Sequence, residues 1–326
     1  MTDQPTPRRK PMSIHDLLAD APTNWGRWGD DDEVGSLNFL TSAEVMRGIM
    51  SVRQGKVITL GMAIGNRRGD PVWPGRTPAR RMMIRDKSHY ATGKARNTHE
   101  GLEFADDFVV MFLQGSTQYD ALGHAWYDDK IWNGYDAMTT TGGLEKASAY
   151  PIAQRGVVGR GILLDVARAR GVEALQKGEE INLPELFAVA EQQGVTIEKH
   201  DILIIRTGFL TRFFTEGAAK FYEEPFIEPG LNYSKELVAW FHEMEIPVLC
   251  TDTIANETTL HKESSVALPL HAALMRNLGV CLNEICDLEE LGQSCAEDKQ
   301  YTFLYVAAPI KFKNASGSPV NPVVIK

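Results

Sequence analysis

No apolar run in this 326-residue chain approaches the roughly twenty residues that a membrane-spanning helix needs. The opening MTDQPTPRRKP also lacks the apolar stretch of a secretory signal. Cysteine is scarce: Cys250, Cys281, Cys286 and Cys295 fall in the last quarter, none in C-x-x-C spacing, which argues against a structural zinc site or a disulfide framework. A reducing, cytoplasmic setting is the expectation. Positive charge is in the minority, 34 Lys and Arg against 43 Asp and Glu, for a net charge of -9. A protein that tracks nucleic-acid backbone needs a basic face, so that class is set aside. No internal repeat of solenoid or propeller length is visible.

What is present is ordinary globular chemistry, 43% hydrophobic and 24% charged residues, enough to bury a core unaided. Residues 1–12 are polar and proline-bearing and read as a flexible tail; residues 13–326 read as one domain. It begins with a helix around Ser13 to Asp20, with Ser13 as N-cap. The segment WGRWGDDDEVGSLNFLT, residues 25–41, reads as a solvated acidic loop held by packed tryptophans. Strand signals recur at Lys56 to Met62, Asp107 to Leu113, Gly159 to Val166, Asp201 to Thr207, Pro247 to Thr251 and Tyr301 to Ala307, most of them short buried runs. Helical spacing marks Leu183 to Gly194, Ser234 to Met244 and His271 to Leu278. The mixture predicts an α/β protein. Gly156, Gly159 and Gly161 precede an apolar run instead of following one, so they are not a phosphate-binding loop.

The chemistry-bearing segment follows the strand-like DFVVMFL: Gln114-Gly115-Ser116-Thr117-Gln118-Tyr119-Asp120-Ala121-Leu122-Gly123-His124. If the extended conformation persists, period-two alternation puts Gln114, Ser116, Gln118 and Asp120 on one face. Two amides and a carboxylate would then converge, an oxygen-rich set suited to a divalent ion, and His124 could coordinate or shuttle a proton. A polar loop with a hydrogen-bonded histidine is the competing reading. A second group is Leu268-Pro269-Leu270-His271, with Leu282-Asn283-Glu284 after the helix-ending Gly279. The proline places His271 in a first helical turn. A lone histidine there is more often structural than a ligand, and its pairing with Asp120 is what singles it out.

Together these clusters resemble the metal-binding signature of the cyclase family that includes bacterial kynurenine formamidase and isatin hydrolase. The family pattern H-x-G-T-H-x-D-x-P-x-H stands here as Q-x-S-T-Q-x-D-x-L-x-H, followed by His271 in its Leu-Pro-x-His context and then Glu284. The resemblance spans most of the chain. It implies a mixed, barrel-like β core flanked by helices, and a homodimer or higher homo-oligomer. It also implies that Asp120, His271 and Glu284 are metal ligands and that His124 is the general acid and base. Val72-Trp73-Pro74-Gly75-Arg76-Thr77-Pro78 resembles the family's W-P-G-x-T-P element, which makes Trp73 a substrate-binding candidate; a tryptophan packed beside a turn is the alternative. Asp252, in Cys250-Thr251-Asp252-Thr253, resembles a further aspartate near the site, behind the ligands.

Two histidines of the family pattern are Gln114 and Gln118 here. Neutral amide oxygens bind zinc more weakly than imidazole does, so one divalent ion, zinc or manganese, is expected instead of two. Gln118 is a candidate for supplying an oxygen to it, and Gln114 for touching substrate or orienting a ligand. The glutamine variant resembles the branch containing trans-dienelactone hydrolase, whose substrate is a carboxylated lactone. A small-molecule lactone opened by hydroxide generated on the ion, with His124 moving the proton, is therefore the expected chemistry. An amidohydrolase of formamidase or isatinase type is the alternative, and a degenerate, non-catalytic binding homologue is the alternative from another class. A substrate carboxylate would need a cation, for which Arg76, Arg80, Arg81 and Arg206 stand open. His15, His89, His99, His200, His242 and His261 are read as structural or surface residues, with His261 the nearest in sequence to His271.

Overall fold

Buried apolar strands need partners on both edges, and the sequence supplies several in succession. A computed structural model describes residues 12–96 and 101–326. The expected tail, except for its last residue, and His99 lie outside the described residues. Thirteen strands follow one another: β1 Val57–Thr59, β2 Arg80–Arg85, β3 Asp106–Val110, β4 Gln118–Asp120, β5 Val157–Asp165, β6 Glu180–Ile181, β7 Ile202–Arg206, β8 Gly230–Leu231, β9 Val248–Thr251, β10 Cys281–Glu284, β11 Thr302–Ala307, β12 Gly317–Pro319 and β13 Val323–Ile325. Nine of them form one mixed sheet in the order β1-β13-β11-β5-β7-β9-β10-β4-β12, curled into a half-barrel and flanked by helices. The expected α/β fold is therefore the observed one.

Strands β5, β7, β9 and β10 run parallel at the centre, and antiparallel strands extend both sides. The all-apolar Ile202-Leu203-Ile204-Ile205 of β7 is buried throughout, as a parallel strand covered on both faces must be. Gly161 serves packing: a Cβ there would stand 2.5 Å from the Phe303 ring on β11. Helices Leu183–Gln193 and Lys235–Glu243 lie where the helical spacing predicts them. Asn182 and Ser234 cap their first turns, and Gly194 closes the first helix in the left-handed region. The short helix Ile14–Leu17 is capped by Ser13. No helix among the described residues is long and apolar enough to cross a membrane.

Two expectations need correction. Residues 25–41 are not simply a solvated loop, because the turn Gly35–Phe39 is driven into the molecule. Ser36 N–H donates to Gly279 O at 2.8 Å, and Ser36 Oγ to Leu278 O at 2.7 Å. Gly279, at φ +73°, ends the π-type helix His271–Leu278, and a Cβ there would meet the Trp132 ring at 2.7 Å and Gly35 Cα at 2.8 Å. The second correction concerns Asp107 to Leu113. Its strand, β3, pairs with β2 alone in a two-stranded hairpin and is exposed at all five residues. A turn closed by Gly115 N–H to Phe112 O then interrupts the extended backbone before β4. Gln114, Ser116, Gln118 and Asp120 consequently do not share a face by alternation; all residues from 114 to 123 are buried.

Candidate metal centre

Register brings the site together. Strand β4 lies antiparallel to β10 with Gln118 opposite Glu284, and Asp120, two residues along β4 and so on the same face as Gln118, sits diagonally from Glu284. His271 is the first residue of the π-type helix leading into β10. Asp120, His271 and Glu284 are all buried, and each offers a ligand atom within 4.8 Å of the others. His271 Nε2 stands 3.4 Å from Glu284 Oε1 and 4.0 Å from Asp120 Oδ2.

These residues fit a divalent cation. Asp120 Oδ1, Glu284 Oε1 and Gln118 Oε1 are buried without a hydrogen-bond partner, whereas buried oxygens are ordinarily paired. Gln118 Nε2 donates to Glu284 Oε2 at 2.8 Å, which ties the amide to the cluster. Burial, and then repulsion from Asp120, push the Glu284 carboxyl up to about 7, opposed by the His271 imidazole 3.4 Å away. A cation among the oxygens left without partners would offset that repulsion. On the far side of His271, Nδ1 lies 2.7 Å from Glu257 Oε1. The Glu257 carboxylate also accepts the backbone N–H groups of Leu270 at 2.8 Å and His271 at 2.7 Å. It thereby caps the helix, holds the imidazole proton on Nδ1 and turns Nε2 toward the carboxylates. Burial opposes protonation of His271, but the Glu257 and Glu284 carboxylates outweigh it and raise its pKa well above the usual histidine value.

Beside the triad is a cavity of about 340 Å³ whose walls include Trp73, Arg76, His124, Trp126, Ile254 and Leu268. His124 Nε2 stands 3.9 Å from Asp120 Oδ2, and about a quarter of its side chain, 26%, stays open. Desolvation lowers its pKa against the opposing pull of Asp120. The Trp73-Pro74-Gly75-Arg76 sequence closes a tight turn, Arg76 N–H donating to Trp73 O at 2.9 Å with Gly75 at φ +97°. That turn sets Trp73 and Arg76 on its two limbs, both facing the cavity.

The remaining candidates separate. Gln114 is off the cavity wall: its Nε2 is 3.0 Å from Ser316 Oγ and 3.4 Å from His124 Nδ1, so it braces the histidine and does not line the space for substrate. Arg206 lies in a different cavity, bonded to Asp165, Glu289 and Glu173 O, while Arg80 and Arg81 are on the exposed hairpin. Asp252 is consumed by Thr207 and Gly208, and His261 by Ser264. Sequence reasoning missed Glu257 and Trp126. The Asn256-Glu257-Thr258 segment carries no periodic or motif signal, and only the fold brings it under the helix that begins at His271.

The Cyclase family model matches residues 58–258. No curated protein sequence matches the chain. Among solved structures, one described as a novel cyclase is 33% identical, with 93% of this chain and 99% of that one covered at a TM-score of 0.84. Isatin hydrolase A from Labrenzia aggregata, bound to benzyl benzoate, is 19% identical with 89% and 98% covered at 0.58. Isatin hydrolase A from Ralstonia solanacearum is 18% identical with 88% and 96% covered at 0.59. The two isatin hydrolases share the fold.

Proposed function

The chain belongs to the cyclase family, and from that premise we propose that it is a metal-dependent hydrolase that opens a small cyclic ester and works as a homo-oligomer. The observation that carries the metal is the set of three buried oxygens without hydrogen-bond partners on Gln118, Asp120 and Glu284, gathered beside Nε2 of His271. Asp120, His271 and Glu284 hold the ion, with Gln118 Oε1 as a further donor. Two glutamines in place of the family's histidines favour a single ion, zinc or manganese. When bound, that ion lowers the pKa of water and polarises the scissile carbonyl.

The chain's own residues do the rest. Glu257 fixes the tautomer of His271 through Nδ1. His124, kept largely neutral by desolvation, takes a proton at Nε2 from the attacking water and returns it to the leaving oxygen. Trp73 offers an aromatic wall, and Arg76 offers the cation. The Arg76 side chain donates through Nη1 to Gln114 O at 3.1 Å and forms no ion pair among the described residues, so its remaining N–H groups are open to a substrate carboxylate. An amide of formamidase or isatinase type is the second reading, favoured by the fold shared with the isatin hydrolases. It assigns the same roles to the same side chains.

The test is metal content per chain of protein purified without added metal, beside Glu284→Ala. About one equivalent, lost in the variant, is expected. That result opens a screen of carboxylated and uncharged lactones against N-acyl arylamines, which separates the two hydrolytic readings. No metal in either protein, with none taken up on reconstitution, overturns the hydrolase and leaves a non-catalytic binding homologue.

A further inference from the structure

A two-stranded hairpin is at best marginally stable in water unless something covers it. The β2–β3 hairpin pairs with no other strand among the described residues. All five residues of β3 and the first five of β2 are exposed. Its surface is not that of a solvated arm. Met82, Met83, Ile84, Phe104, Phe108, Val109 and Val110 are exposed to between 38% and 62%, and Leu102 and Phe112 extend the patch. Nine large apolar side chains at about half exposure, on the order of 150–200 Å² each, present roughly 800 Å² of apolar surface in all, divided between the two faces of the hairpin by the alternation of β2 and β3. The largest patch on a typical monomer is about 300–600 Å², whereas one partner of a standard-sized interface contributes about 800 Å².

The charges on the hairpin narrow the choice of partner. Strand β2 carries Arg80, Arg81 and Arg85, and β3 carries Asp106 and Asp107. Arg81 and Asp107 meet at 2.8 Å within the hairpin, and both remain well exposed. Arg80 and Asp106 form no ion pair among the described residues. A basic strand beside an acidic one is self-complementary: two hairpins stacked face to face about a two-fold axis parallel to their strands lay β2 of one copy over β3 of the other and set arginine against aspartate. Pairing β2 with β2 would instead oppose arginines.

We propose that the β2–β3 hairpin is the surface through which two copies of this chain associate. This rests on the homo-oligomeric reading above and gives it a location. The location bears on the site, since three residues separate Arg76 from Arg80 and three separate Val110 from Gln114. Both limbs of the hairpin therefore lead straight into the residues that flank His124 and the cavity.

The test is light scattering on the full chain at micromolar concentration, for the wild type and for Phe108→Glu/Val110→Glu, with metal content measured on both. A wild-type dimer or higher oligomer that falls to a smaller species in the variant, with metal retained, is expected. All four native cysteines are buried, so a Val109→Cys variant offers one reactive thiol per chain. A short bifunctional maleimide should join two copies through it. An oligomer that survives the double glutamate change, with no cross-link through Cys at 109, overturns the hairpin as the surface while leaving the homo-oligomer standing. A monomeric wild type overturns both. Neither outcome touches the hydrolase reading, which the metal content decides.

Discussion

Both carboxylate oxygens of Glu257 are used at the start of one helix: Oε2 by the Leu270 N–H, and Oε1 by the N–H and the Nδ1–H of His271. Removing that carboxylate frees the imidazole to rotate or change tautomer and strips two backbone donors of their acceptor. Glu257→Ala should therefore weaken metal affinity by about 10- to 100-fold, read by competition against a chelator. His124→Ala should do the converse, lowering kcat by about 10²- to 10⁴-fold while leaving metal content unchanged. Loss of the ion in that variant would make His124 a ligand. The two residues also mark how far the sequence could be read. His124, Asp120, His271 and Glu284 stand in a spacing that resembles a family signature, so they could be named before any fold was known. Glu257 is tied to His271 across a chain reversal and gives no local sign of its role, because its partners are backbone groups that every residue possesses.

At the level of elements, the same local signal led to opposite outcomes. Ile202 to Ile205 and Phe108 to Phe112 are both continuous apolar runs, yet the first is an interior strand and the second lies on an exposed hairpin. Hydrophobic patterning reports that a surface wants cover and does not report which chain supplies it. Helix ends were more legible, because a cap is a local contact between residues three apart. The helix Ser42–Met50, which was not expected from the sequence, carries a full capping box: Thr41 N–H donates to Glu44 Oε2 at 3.0 Å while the Thr41 side chain accepts from the helix. His200 Nδ1 stands 3.0 Å from Glu44 Oε1. Burial works to raise the Glu44 pKa, but the Thr41 hydroxyl, His200 and backbone N–H groups outweigh it and pull it from 4.5 to about 2. A carboxylate with a depressed folded-state pKa contributes stability that is present above 4.5 and is lost as pH falls through about 2. Glu44→Gln should accordingly lower unfolding free energy by about 1–2 kcal/mol at pH 7. Urea titrations should show that gap closing as pH is lowered from 4.5 toward 2; a gap independent of pH would deny the charge its role.

On the scale of the whole molecule, the metal centre is a product of sheet order. Gln118 and Glu284 lie 166 residues apart in the chain and meet because β4 and β10 are neighbours. An unfolded chain holds no such cluster, so an ion held there would bind the native state and its binding free energy would add to folding stability. At a hundredfold excess of free metal over Kd this amounts to about 2.7 kcal/mol. An unfolding entropy of about 2.1 cal/mol/K per residue turns that into a rise in Tm of roughly 4 °C for a chain of this length. Calorimetry of chelator-treated protein, with and without zinc or manganese added back, should show that rise in the wild type and none in Glu284→Ala. The metal-free proteins carry the second half of the argument. Without a cation, Glu284 is a buried carboxyl whose ionisation is opposed by burial and by Asp120 and favoured by His271, and it accepts from Gln118 Nε2 at 2.8 Å, so removing its charge while keeping its volume and its acceptor oxygen relieves the repulsion and leaves the buried donor paired. Metal-free Glu284→Gln should then melt no lower than metal-free wild type. A variant that melts several degrees lower in the absence of metal would mean that Glu284 holds the fold together by itself, and the orphaned oxygens would need another explanation than an ion.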